Sequence, residues 1–314
     1  MRRYLMRRAI ALVLTLFFVS VVTFVVVNVL PGDPAEIIMG TEGSPEALAA
    51  LRARLGLDRP LPIQYVSWLK RALGGDLGVS IQYDVAVGQL IVSRLSVTFP
   101  LAGLAMGFTI LIGIPLGIAA ASHDRGPGRV GVMVFSQLGI AVPSFWAGLL
   151  LILLFSVYLG WFPAGGFTGW AETPQGALRS LLLPAIALGL VQTAILTRTT
   201  RSAILEVLRE DYVQTARSKG LSDRLVLYKH ALKNGFITIV TLLGLQVGHL
   251  LAGSIIIENV FYLPGLGRLA LGAISARDLP VVQGLVLFMA AVIVFVNFAV
   301  DLLYGWLDPR IRYD

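Results

Sequence analysis

Long uncharged runs alternate with charged segments along this chain of 314 residues. An α-helix needs about 20 apolar residues, at 1.5 Å each, to cross the ~30 Å hydrocarbon core of a bilayer. Six stretches meet this requirement or come close to it, and each is predicted to span a membrane. They are residues 9–30, 98–121, 131–159, 180–197, 235–257 and 281–303. The pattern predicts an all-α polytopic membrane protein with about six transmembrane helices.

The first apolar run follows a short N-terminal tip, residues 1–8, that carries four arginines. A secretory signal peptide begins in the same way, but its apolar core is only about 7–15 residues long. Here the run has 22 uncharged residues, and no small-x-small cleavage site precedes Pro31. We therefore expect an uncleaved first helix.

Pro31 and Pro34 end the first helix, because proline lacks an amide donor and disfavours helix at the residue before it. The polar, mixed-charge segment that follows is expected to hold short helices at 45–55 and 62–73, each with a proline in its first turn. The predicted organisation is a cytoplasmic tip with the first helix (1–30), an extracytoplasmic insert (31–97), the main transmembrane region (94–305) and a cytoplasmic tail (306–314).

The third run has 29 uncharged residues, more than a straight span needs. We expect it to be tilted, kinked at Pro143 or extended along the membrane interface. Pairs of glycines four residues apart, which allow helix backbones to approach closely, are predicted to be packing features. These pairs are Gly103/Gly107, Gly113/Gly117 and Gly244/Gly248.

Composition and charge support a membrane protein and give its orientation. Only 14% of the residues are charged, whereas a soluble domain has about 25%. Sixteen of the 25 Lys and Arg residues fall within the 64 residues of segments 1–8, 122–130, 198–235 and 306–314. Cytoplasmic segments carry the excess of Lys and Arg, so both termini are expected in the cytoplasm. The net charge of +7 then reflects topology, and no nucleic-acid partner is expected.

The chain lacks the residues of several kinds of site. It has no cysteine, and its three histidines are too far apart in sequence to suggest a metal site. No G-x-x-x-x-G-K-[ST] loop is present, so we expect no ATP site in this chain. No other bound cofactor and no catalytic residue are predicted. The glycine-rich segment 265–268 has the wrong spacing for a dinucleotide loop and is interpreted as a tight extracytoplasmic turn.

Ionisable side chains inside membrane spans usually mark ion pathways or intramembrane catalysis. Only His249 and Asp301 are expected there. An intramembrane aspartic protease needs two carboxylates in one site, and an ion-coupled secondary transporter normally has polar groups on broken helices in matching repeats. Neither pattern is found, so both alternatives are disfavoured.

The cytoplasmic loop 198–235 is the most informative segment. A helix is predicted over 206–219, ended by Gly220, because glycine readily adopts the left-handed conformation that closes a helix. Ser222 is expected to cap a second helix with Asp223 in its first turn. Four apolar side chains at helical spacing give that second helix one stripe: Leu221, Leu225, Tyr228 and Leu232.

Two interpretations of this loop remain open. A basic amphipathic hairpin can lie on lipid headgroups. Alternatively, the small apolar patch of Tyr212, Val213 and Ala216, followed by the glycine turn, can enter a groove on another protein. The small size of the patch favours docking on a partner.

The same loop resembles a known motif. Gln214-Thr215-Ala216-x-x-x-Gly220 is similar to the E-A-A-x-x-x-G motif of ABC importer permeases, in which a coupling helix docks on the nucleotide-binding subunit. Gln214 replaces the glutamate of the general form, and His230-Ala231-Leu232-Lys233 stands in place of its I-x-L-P. The form D-Y-x-x-T-A-R-x-K-G-L, followed by H-A-L-x-N, is similar to that of the peptide-transporter branch.

Landmarks along nearly the whole chain resemble the B-type permease of dipeptide and oligopeptide importers, with the related nickel and glutathione importers. The resemblance rests on the order and spacing of these landmarks taken together. They are Pro31-Gly32-Asp33-Pro34, Leu55-Gly56-Leu57-Asp58-Arg59-Pro60, Gly75-Asp76-Leu77-Gly78, Trp161-Phe162-Pro163, Pro264-Gly265-Leu266-Gly267, Pro280-Val281-Val282-Gln283-Gly284 and Asp308-Pro309-Arg310.

The resemblance implies a type I ABC importer transmembrane fold over 94–305, in the bacterial inner membrane. It also implies a homologous second permease, forming a heterodimer, two ATPase subunits that bind ATP and magnesium, and an extracytoplasmic solute-binding protein that meets the insert. The expected ATPase-coupling residues are Asp211, Tyr212, Thr215, Ala216, Lys219 and Gly220.

Polar residues in the apolar spans are the candidates for the translocation path. Each of them is equally suited to an interhelical hydrogen bond, and that alternative stays open. They are Gln137, Ser144, Gln246, His249 and Asn297.

The charge distribution predicts the result of labelling single cysteines introduced into this cysteine-free chain. Cysteines at Ala50, Gly126, Gly169, Lys219 and Gly272 should be reached by an impermeant reagent alternately from outside and inside, beginning outside. Labelling of position 126 from the outside contradicts the predicted topology.

Overall fold

The computed structural model describes residues 2–29, 39, 44–122 and 127–307. These residues are mostly helical and contain no β-strand, only an isolated antiparallel bridge between Val79 and Ala86. The helices are α1 (Arg2–Val29), α2 (Pro45–Leu55), α3 (Leu61–Leu73), α4 (Val87–Ser122), α5 (Pro127–Ala141), α6 (Ser144–Leu151), α7 (Pro174–Leu208), α8 (Asp211–Ser218), α9 (Asp223–Leu225), α10 (Leu232–Val260), α11 (Leu266–Ser275) and α12 (Leu279–Leu307). Two π-helical segments, Ile152–Tyr158 and Val226–Ala231, extend α6 and join α9 to α10.

Within the described part of the chain, five helices are long and apolar enough to cross a membrane. The third predicted span is instead a broken pair, 130–141 and 144–158, bent by 104° at Val142 and Pro143. Of the three alternatives for this run, the kink at Pro143 is therefore confirmed. Counting the pair as one span gives the six that the sequence predicts.

The helix limits differ from the predicted ones mainly by extension. Helix α4 begins eleven residues before the predicted span and runs without a break across the predicted border of the insert at 94–97. The short helices α2 and α3 are confirmed, and the Ser44 hydroxyl caps α2 by accepting from the Ala47 amide at 3.2 Å. The predicted helix stop at Pro31 and Pro34 and the end of the cytoplasmic tail, beyond residue 307, lie outside the described residues.

The chain forms two compact units. Of the described residues, the larger unit takes those within 1–5, 97–268 and 296–314, and the smaller takes those within 6–96 and 269–295. Helix α7 is the centre of the larger unit, because 72% of its most apolar window is buried and it packs against α5, α6 and α10. In the smaller unit, Phe24 of α1 packs against the aromatic rings of Tyr65 and Trp68 of α3.

Two of the three predicted glycine pairs contribute to packing inside the chain. A Cβ on Gly117 of α4 would lie 2.5 Å from Thr200 Cβ and 2.8 Å from the Thr197 carbonyl oxygen of α7. Gly244 of α10 approaches Val300 of α12 in the same way. Gly103 and Gly107 have nothing within 4 Å of such a Cβ, so the prediction for this pair is wrong within this chain.

Gly117 and Gly107 lie on the same helix and provide a matched pair of substitutions. Gly117→Val should destabilise the protein by about 1–3 kcal/mol, because the new side chain must displace the α7 backbone. Gly107→Val should change stability little, since its Cβ enters open space. The midpoints of thermal unfolding in detergent measure the difference, and equal losses in the two variants would contradict the observed α4–α7 contact.

Candidate functional site

The candidate coupling helix is α8, which is shorter than the sequence predicts. Residues 206–208 belong to the end of α7, and extended backbone at Glu210 (φ −65°, ψ 144°) separates the two helices. The predicted start at 206 is therefore wrong. Asp211 lies in the first turn of α8 and Arg217 in its last turn, both favourable for the helix dipole.

The predicted end of this helix is confirmed. Gly220 has a φ of +83°, which an L side chain rarely adopts, and its amide donates to the Arg217 carbonyl at 2.9 Å. Ser222 occupies the capping position of the next helix, as predicted, but its side chain makes no capping hydrogen bond. Asp223 is in the first turn and forms an exposed ion pair of 3.4 Å with Arg217.

The inner face of α8 is buried against other elements of the same chain. Val213 is fully buried and Ala216 is buried, and α8 contacts the π-helical segment Val226–Ala231. That segment in turn joins a hydrophobic cluster at the ends of α4 and α7, built around Ala121, Ile204, Leu227 and Ala231. The hypothesis that Val213 and Ala216 lie against a partner is thus wrong, since their own chain covers them.

The outer face of α8 is polar and exposed. Asp211, Thr215 and Lys219 lie on it, and the Thr215 hydroxyl donates to the Asp211 carbonyl at 2.9 Å. Tyr212 is also exposed, and its hydroxyl accepts a 2.6 Å hydrogen bond from the amide of Asn234 in α10. A cleft of about 510 Å³ lies beside this face. Its lining residues are Ser202, Leu205, Glu206, Arg209, Glu210 and Asp211.

Gln214, which replaces the glutamate of the related motif, has a structural role. Its side-chain amide donates to the Leu208 carbonyl at 3.2 Å. That carbonyl is one of the last in α7 and has no partner further along the helix. Gln214 thereby ties α8 to the end of α7.

The apolar stripe predicted for the second helix is not its buried face. Leu225 and Tyr228 are exposed, whereas Val226, Leu227 and Ala231 are buried. The cause is the π-helical turn, whose i→i+5 hydrogen bonds change the number of residues per turn and shift the inward positions.

The candidates for the translocation path fall into different environments. Gln246 is buried, and its amide donates to the Gln192 carbonyl of α7 at 2.9 Å, so it makes an interhelical hydrogen bond. Gln137, His249 and Asn297 are exposed on the surface of this chain. Ser144 is half-buried and is the first residue of α6, directly after the break at Pro143.

Sequence reasoning missed a fully buried carboxylate, Glu258. Helix α10 extends to Val260, so this glutamate lies on the fifth span rather than beyond it, and His249 and Asp301 are not the only ionisable groups there. The Thr98 hydroxyl donates to Glu258 Oε1 at 2.7 Å, and the Gly267 amide donates to Oε2 at 2.7 Å.

Glu258 also explains the glycine-rich segment 265–268. The interpretation as a turn holds only up to Gly265, because Leu266 begins α11 and the amides of its first turn point at the carboxylate. A Cβ on Gly265 would lie 2.3–2.4 Å from the Glu258 carboxylate group. An acid near the end of a predicted span, followed by Pro-Gly-Leu-Gly, was the available sequence signal.

Comparisons with known proteins cover nearly the whole chain. Residues 113–313 match the family described as the inner membrane component of binding-protein-dependent transport systems, and residues 1–102 match the family for its N-terminal part. A putative peptide transport system permease protein of Brucella abortus is 45% identical over 314 residues, with all of both chains covered. A glutathione transport system permease protein of Salmonella typhi is 41% identical over the same length and coverage.

Removing the Glu258 carboxylate should destabilise the chain. Glu258→Ala leaves the Gly267 and Arg268 amides and the Thr98 hydroxyl without their acceptor, at a cost of about 2–4 kcal/mol. Glu172→Ala, at an exposed glutamate, should cost no more than about 0.5 kcal/mol. Thermal unfolding in detergent measures both changes, and a neutral Glu258→Ala variant would show that these hydrogen bonds add nothing to stability.

Proposed function

The chain belongs to the family of inner membrane components of binding-protein-dependent transport systems, and we propose that it carries peptide-like solutes as one of two homologous permeases. As a member it is a multi-pass membrane protein and the permease subunit of an ABC importer. The solute class rests on two full-length relatives named for peptide and glutathione transport, at 45% and 41% identity. Dipeptides, oligopeptides and glutathione share a peptide backbone with charged ends.

The partner ATPases dock on the outer face of α8. The observation that carries this proposal is that α8 has two different faces: a buried face that fixes the helix, and a polar face that is exposed in the part of the chain that the structure describes. Asp211, Tyr212, Thr215 and Lys219 supply the contact. Ala216 supports the helix from inside, and Gly220 ends it.

ATP and magnesium bind to the partner subunits, and this chain hydrolyses no ATP. Helix α8 is connected to α7 through Gln214 and to α10 through Tyr212. A movement imposed on α8 by closure of the ATPases is therefore passed to two spans of the larger unit. Transport follows from switching these spans between two arrangements, which nucleotide binding favours unequally.

The translocation path uses the exposed candidates rather than the buried one. Gln137, His249 and Asn297 are free of tight packing within the chain, and Ser144 follows the helix break. Gln246 is assigned to helix packing instead. The excess of Lys and Arg in the loop that contains α8 supports cytoplasmic N- and C-termini.

Two substitutions on the outer face of α8, with a charge reversal elsewhere in the same loop as their control, test the docking surface. Lys219→Glu, at the end of α8, and Thr215→Trp, in the middle of its outer face, should each reduce co-purification of the ATPases and solute uptake at least tenfold. Lys233→Glu makes the same charge change at the start of α10 and should leave both intact.

The control also separates docking from a contact with lipid. A loop held on anionic headgroups loses about 1 kcal/mol per basic residue wherever that residue lies. Equal effects of Lys219→Glu and Lys233→Glu, with ATPases still bound, would therefore count against docking on α8.

A further inference from the structure

The smaller unit contains a short loop, residues 79–86, with a well-defined conformation. An antiparallel bridge joins its first and last residues. Across it, the Ser80 amide donates to the Val85 carbonyl at 2.9 Å and the Asp84 amide to the Ser80 carbonyl at 3.1 Å. The Tyr83 amide donates to the Ser80 hydroxyl at 3.0 Å. These bonds fix the loop independently of any partner.

One buried carboxylate, Asp278, anchors this loop. It accepts hydrogen bonds from the Ser80 hydroxyl at 2.5 Å and from the amides of Ile81 and Gln82 at 3.2 and 3.1 Å. Asp278 directly precedes α12, and the Val281 amide in the first turn of that helix also points to it, at 3.4 Å. The loop and the start of α12 therefore share one carboxylate.

Close packing strengthens the same attachment. A Cβ on Gly284 of α12 would lie 2.6 Å from Val87 Cγ1 and 3.5 Å from Leu77 Cβ, the residues that flank the loop on either side. A Cβ on Gly78 would lie 3.6 Å from Pro280 Cβ, an ordinary van der Waals distance. A displacement of the first turns of α12 must therefore carry the loop with it.

Apolar side chains are exposed along the loop, at its first residue as well as near its tip. Val79, Tyr83 and Val85 are exposed, next to the exposed polar residues Gln82 and Asp84. Aromatic groups on a preorganised loop are typical of protein interfaces, because little conformational entropy is lost when they bind. The loop also borders a cleft of about 680 Å³ whose lining includes charges of both signs. Its charged residues are Arg59, Arg71, Asp76 and Asp84.

We propose that loop 79–86 and the adjoining cleft receive the extracytoplasmic solute-binding protein, with Asp278 as the positioning residue. The inference rests on the proposed function, since a binding-protein-dependent system needs such a contact on the extracytoplasmic side. The cleft has both apolar and charged lining residues, and polar groups on a protein surface can pair with its two arginines and two aspartates, which acyl chains cannot do. Through Asp278, docking acts on the last transmembrane helix.

Two matched valines test the surface. Val79 and Val66 lie in the same insert with exposures of 54% and 62%, but Val66 is on α3 and outside the loop. The assembled transporter is placed in nanodiscs, and the affinity of the solute-binding protein encoded with this permease is measured. Val79→Glu and Tyr83→Ala should weaken binding about tenfold or more, while Val66→Glu should bind like the wild type.

Asp278→Asn tests the anchor against Asp84→Asn. The first variant puts an amide group among four donors, so it should weaken binding and reduce the stimulation of ATPase activity by the binding protein. The second neutralises an exposed acid in the same loop and should affect both much less. Wild-type stimulation in Asp278→Asn would overturn the positioning role.

Other outcomes are equally informative. Binding within twofold of wild type in both loop variants overturns the proposal, as does an equal loss in Val66→Glu. If Val79→Glu lowers retention in lipid but leaves binding unchanged, the loop is a membrane contact instead. Co-purified ATPases and basal ATPase activity should be normal in every variant, and their absence from the wild-type preparation would instead indicate that the proposed function fails.

Discussion

A backbone group in hydrocarbon finds no water, so each helix end or break near the bilayer must be satisfied by the protein itself. The described part of this chain solves the problem with side chains placed at the ends. Glu258 accepts from the first amides of α11, and Asp278 accepts from the loop and from α12. In the polar loop that follows α7, Gln214 likewise donates to the end of that helix. Each bond also joins two elements. The side chains that satisfy the backbone groups at the helix ends therefore also fix the connections between helices.

Rigid connections matter because an importer must pass movement from a partner to its spans. Helix α8 is only eight residues long and could not hold its shape alone. Its buried face, Val213 and Ala216, and the hydrogen bonds of Gln214 and Tyr212 hold it on α7 and α10. Loop 79–86 is held on α12 by one carboxylate and one glycine contact. In both cases a short exposed element is fastened to the end of a long span.

The sequence was sufficient for features that depend on long-range composition. Runs of apolar residues located the membrane spans, Pro143 located the kink, and Gly220 located the end of α8. The sequence was insufficient where a contact between residues distant in the chain determines the local structure. An eight-residue helix has too few positions to show which face is inward, and the π-helical turn at 226–231 has no composition of its own. Glu258 was missed because the predicted span ended one residue before it, and a buried acid at a helix end is stable only with partners distant in sequence, such as Thr98.

Gln214 shows how a departure from a motif can be explained by the fold. A glutamate carboxylate is only an acceptor when ionised, and beside the Leu208 carbonyl it would face another acceptor. A glutamine amide donates there, so in this chain residue 214 stabilises the junction of α7 and α8. The proposed contact with the ATPases then depends on the rest of the outer face, where Asp211, Thr215 and Lys219 are exposed. The substitution therefore changes which residue supports α8 without removing the surface that α8 presents.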